Sequence, residues 1–141
     1  MVKKSMRSPF VLLLVAFFVF FLCQEASVCF AVPYSHTAEL TVTLSISSSG
    51  ITSCTGLIRP SSSDTKSSVT VRLKQLVGAN WITVSSATWY GSGTGLAGAS
   101  AKGTKSVTKG YSYKVVITGT ISDLNGNALE TTTKETSVKV Y

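Results

Sequence analysis

The sequence predicts an all-β sandwich, and three observations carry that expectation. Over most of the chain apolar residues alternate with Ser, Thr or Lys, the period-2 pattern of strands with one buried face. Helical periodicity is almost absent beyond the N-terminal apolar run. Turn-forming clusters of Gly, Ser, Pro and Asn separate the alternating runs, giving about seven antiparallel strands, enough for two amphipathic sheets to bury their apolar faces against each other. An open barrel is the competing architecture.

Leu40, Val42, Leu44 and Ile46 alternate with Glu39, Thr41, Thr43 and Ser45, which predicts the first strand; Ser47 to Gly50 is its turn. Ile51 to Ile58 is the second, with Cys54, Gly56 and Ile58 on one face. Pro60 to Ser68 reads as a polar loop, because proline and serine clusters end pairing. Val69, Val71 and Leu73 define the third strand. Gly78-Ala79-Asn80 turns the chain into a fourth, Trp81 to Trp89, with Trp81 and Val84 as expected inward anchors. Gly91 to Gly103 is either a flexible loop or a weak edge strand, and Thr104 to Thr108 a short fifth strand. Tyr111, Tyr113, Val115, Ile117 and Ile121 share one face of the strongest strand, where Gly119 marks a bulge or a close approach. Asn125-Gly126 is a strong hairpin signal before a last strand from Leu129 to Tyr141.

The first nine residues carry Lys3, Lys4 and Arg7, and Phe10 to Leu22 follow as thirteen apolar residues. That is the layout of a secretory signal peptide, whose apolar core forms a helix, and it is short of the about 20 residues a spanning helix needs. Small residues at Cys29 and Ala31 suit cleavage before Val32; cuts after Ala26 or Ser27 have Gln24 or Glu25 two residues upstream. Neither Cys23 nor Cys29 fits a lipidation site well. The expected organisation is therefore a leader, 1–31, and one domain, 32–141, secreted or extracellular and touching membrane only through the leader.

Removing Lys3, Lys4 and Arg7 from the thirteen basic residues, and Glu25 from the six acids, leaves ten against five, a net charge of +5. Such a surface attracts anionic polymers mildly; it also keeps strand edges from pairing. Export argues against nucleic acid as a partner. Cys54 is the one cysteine after residue 31, so no internal disulfide is available and an apolar core must hold the domain.

Three motifs carry a resemblance. Lys109-Gly110-Tyr111-Ser112-Tyr113 resembles the start of the penultimate strand of immunoglobulin-like domains on bacterial surfaces, where a tyrosine bonds upstream backbone. Ile121 to Glu130, ISDLNGNALE, is similar to the turn before the last strand of bacterial immunoglobulin-like repeats. VTVRLKQLVGANWITV, Val69 to Val84, together with Cys54-Thr55-Gly56, resembles small secreted proteins of Gram-positive, clostridia-like bacteria with no assigned activity. The resemblance implies an immunoglobulin-like β-sandwich at the cell exterior, with Tyr111 or Tyr113 as the corner tyrosine. Wall proteins of this kind carry a sorting tail or repeats; none follows Tyr141, so covalent attachment is not expected.

Catalytic constellations are scarce. His36 and Cys54 form a nucleophile–base pair only on paper. The five carboxylates Glu39, Asp64, Asp123, Glu130 and Glu135 show no spacing that pairs two of them, as glycoside hydrolysis requires. Asp123, Asn125, Asn127 and Glu130 place four oxygen ligands within eight residues, a candidate calcium loop or an Asx-rich turn. Trp81, Trp89 and Tyr90 are either sugar-stacking rings or core, and the Trp89-Tyr90 pair is the more expected to be exposed. The expected function is non-catalytic: surface contacts with the cell envelope or another protein, without a cofactor. A carbohydrate-binding module using Trp89 and Tyr90 is the alternative, and a small cationic toxin a third, ranked last because nothing resembles a membrane-active helix.

Overall fold

The computed structural model describes residues 34–141; the leader and its cleavage site lie outside them. Eight strands follow one another: β1 Thr37–Ile46, β2 Ile51–Pro60, β3 Thr65–Val77, β4 Asn80–Thr94, β5 Ala99–Ser106, β6 Ser112–Asp123, β7 Ala128–Glu135 and β8 Lys139–Val140. A single 3₁₀ turn, Gly95–Ala97, links β4 to β5. All pairings are antiparallel. One sheet has the order β1-β2-β5; the other runs β4-β3-β6-β7, with β8 on the same β6 strand.

The alternating residues do what their period requires. Leu40, Leu44, Cys54 and Ile58 of the three-stranded sheet meet Val69, Val71, Leu73, Tyr113, Val115, Ile117 and Ile121 of the other in one buried core. Gly119 is a close approach: a Cβ there would come within 2.5 Å of Ile58 Cδ1. Tyr113 is fully buried, and its hydroxyl donates to the Thr108 carbonyl at 2.9 Å and accepts from the Thr108 N–H at 3.1 Å. Tyr111, expected on the same face, is instead exposed just ahead of the strand.

Several boundaries differ from the expected ones. The polar loop shrinks to 61–64, because Thr65 and Ser67 continue the inward phase of Val69 and are themselves buried. The Thr65 hydroxyl is satisfied by the Ser62 carbonyl at 2.9 Å. The glycine-rich stretch resolves into the end of β4, the 3₁₀ turn and most of β5, so the fifth strand begins at Ala99 rather than Thr104. The last strand is interrupted, and its pieces β7 and β8 pair with different parts of β6.

The largest departure concerns Trp81. Between Arg72↔Thr88 and Lys74↔Thr83, two steps along β3 oppose five along β4. The three extra residues form a bulge in which Ser86 takes φ 57°, and an odd number reverses the strand's facing. Trp81, an even number of residues from the inward Trp89, is thereby turned to the outer face. There it pairs across from Leu76 and carries the Lys114 ammonium 4.7 Å from its ring centre. Val84, inside the bulge, still packs against the core.

Candidate functional site

Alternation separates the two aromatics that the sequence puts side by side. Trp89 lies opposite Val71, so its indole turns inward, packs against the core and covers Gly103 of β5. Tyr90 lies opposite Thr70 and points out, 75% exposed. The rings leave opposite faces of β4 and cannot stack on one ligand together.

Tyr90 opens onto a face built from rows of hydroxyls. Ladder register aligns Tyr90, Thr70, Thr118 and Thr133 across β4, β3, β6 and β7. The next row is Ser92, Ser68, Thr120 and Thr131, and the one beyond it Thr94, Lys66 and Ser122. In the other direction Arg72 and Lys74 extend the outer side of β3, beside Lys114, which is bridged to Glu135 at 2.8 Å. Lys66, Ser68, Ser92, Thr94, Ser122 and Gly126 border a groove of about 380 Å³ at the end of this face. Sequence reasoning missed these rows; the signal was present in Thr118-Gly119-Thr120 and Thr131-Thr132-Thr133, whose alternate hydroxyls share a face.

The remaining candidates are dispersed. Cys54 sits mid-strand opposite Leu44, whereas His36 precedes β1, whose first residue pairs with Pro60. Six residue steps of extended chain, about 20 Å, separate Cys54 from Pro60. Burial raises the Cys54 thiol pKa, and a hydrogen bond with Thr52 offsets this only in part.

Asp123 and Glu130 also part company. The Asp123 carboxylate accepts the Asn127 backbone N–H and side-chain amide, both at 2.8 Å, as in an Asx turn. These bonds hold its pKa below the usual carboxylate range. Only Gly126 of the Asn-Gly pair adopts positive φ. Glu130 instead reaches the start of β1, accepting the His36 N–H at 2.9 Å, the Thr37 hydroxyl at 2.8 Å and the Ser35 N–H at 3.3 Å. Desolvation pushes its pKa up, but bonds from Thr37, His36 and Ser35 outweigh it and the net shift is downward. No protein-family model, curated protein or solved structure matches this chain.

Proposed function

We propose that this chain is a secreted, non-catalytic, immunoglobulin-like domain that works through surface contacts with the cell envelope or another protein. The strand orders support the immunoglobulin-like reading. Lettered in the usual way, β1-β2-β5 and β4-β3-β6-β7 become A-B-E and C′-C-F-G, a Greek-key sandwich in which consecutive hairpins are split between sheets. The buried Tyr113, bonded to Thr108 five residues upstream at the start of strand F, supports it as a tyrosine corner.

One observation carries the binding role: the outer face of the five-stranded sheet presents Tyr90, largely exposed, beside a line of Lys66, Arg72 and Lys74 on the neighbouring strand β3. A tyrosine on a rigid sheet supplies contact area at little conformational cost, and tyrosine is enriched at interfaces. The test is co-sedimentation of the processed protein with envelope fractions of its host across a salt series. Retention at low ionic strength, weakened by Arg72→Gln with Lys74→Gln, is the expected result. Recovery only in the supernatant, with no protein captured from the same extract, overturns it. Mass spectrometry of the exported form tests the leader, with a mature start at Val32 expected.

A further inference from the structure

The outer face between Tyr90 and the groove at Lys66 points to a ligand class, on the basis of the binding role proposed above. Alternate residues on one face of a strand are about 6.7 Å apart, so the Tyr90 row and the Lys66 row are separated by about 13 Å. The strip between them holds the hydroxyls of Ser92, Ser68 and Thr120. At its Lys66 end the strip opens into the groove of about 380 Å³ bordered by Lys66, Ser68, Ser92, Thr94 and Ser122, a volume within the range of small-ligand sites.

Lys66 is positioned before any ligand arrives. Its ammonium donates to the Leu124 carbonyl at 2.7 Å, which leaves two of its three N–H donors for something else. Arg72 and Lys74 continue the outer side of the same strand beyond the Tyr90 row, so β3 carries three cations along this face. An aromatic face, a strip of hydroxyls and a fixed cation about 13 Å away are what a short run of linked pyranose rings bearing carboxylates would engage. The C–H face of one ring stacks on Tyr90, hydroxyls along the strip exchange hydrogen bonds with Ser and Thr, and the carboxylate of a ring further along the chain meets Lys66. A protein partner would ask for a broader apolar centre than hydroxyl rows provide.

We propose that the strip from Tyr90 to the groove beside Lys66 is a binding site for an acidic polysaccharide. Affinity electrophoresis of the processed protein tests this with three probes: polygalacturonate, neutral dextran and polyglutamate, which has the charge without the ring. Polygalacturonate should retard the protein most, and Tyr90→Ala and Lys66→Gln should each weaken retardation about five- to tenfold. Both side chains are exposed, so near-UV circular dichroism should show both variants folded. Equal retardation by polyglutamate reduces the site to charge and overturns the proposal, and so does equal retardation by dextran. Retardation untouched by either substitution overturns the placement. Absence of retardation in a protein that still co-sediments with envelope sinks this site while the broader binding role stands.

Discussion

The two long sides of the sandwich are closed by opposite means. Where β4 meets β5, the inward positions of the edge strand are Trp89, Gly91 and Gly93. Here backbone approaches backbone: a Cβ on Gly91 would land on the Ser100 carbonyl, and one on Gly103 on the Trp89 indole. Where β7 faces β1, the corresponding inward positions are Glu130, Thr132 and Lys134. There the gap is wider, and long polar side chains cross it. Glu130 gathers the donors of residues 35–37, and the Lys134 ammonium donates to the Leu40 carbonyl at 2.9 Å. One side is sealed by the removal of atoms, the other by their extension. Inward charges also make the β7 edge a poor template for a foreign strand.

The contrast is sharpest under substitution. Gly91→Val should be the most damaging change, because the obstacle is backbone that cannot swing aside. A loss of about 3 kcal/mol or more in urea unfolding is expected, and a loss under 1 kcal/mol would mean that β5 can move away. Trp89→Ala should cost about 3 kcal/mol by opening the same side above Gly103. On the other side Glu130→Gln should lower Tm by only a few degrees at pH 7, since the amide oxygen still accepts hydrogen bonds.

That variant also separates the sides by pH. The folded-state pKa of Glu130 lies below its unfolded value, so its stabilisation is fully present above the ordinary range near about 4.3 and is lost as pH falls through the folded value. The wild-type Tm should therefore decline on acidification more steeply than that of Glu130→Gln; parallel curves would remove Glu130 from the clasp. Lys134→Met, which keeps the stem and loses the ammonium bond, should have the smallest effect, under about 1 kcal/mol.

How much of this was legible in the sequence follows from the range over which each feature is determined. Strand alternation is local, so the inward residues of β1, β2, β3 and β6 could be read directly, as could the motif around Tyr113. Trp81 could not, because a bulge that shows no Gly or Pro reverses the strand's facing between it and Trp89. The glycines at 91 and 93 read as flexibility when taken alone; their purpose is set by Gly98, just ahead of β5, and Ser100 within it. Glu130 offered an apparent cluster with Asp123, yet its partners lie 93 to 95 residues away. The separation of Trp89 from Tyr90 was in principle available, since adjacent residues in a strand face opposite ways.

Cys54 turns the closure of both sides into something that can be timed. Its sulfur lies at the centre of β2 with no exposure, and its thiolate is disfavoured by burial. In the proposed mature form, which would keep no other cysteine, a thiol reagent therefore meets nothing until the sheets part, and each labelling event records one opening. Without any introduced probe, the protein carries a clock in its own core whose rate measures how often the sandwich comes undone.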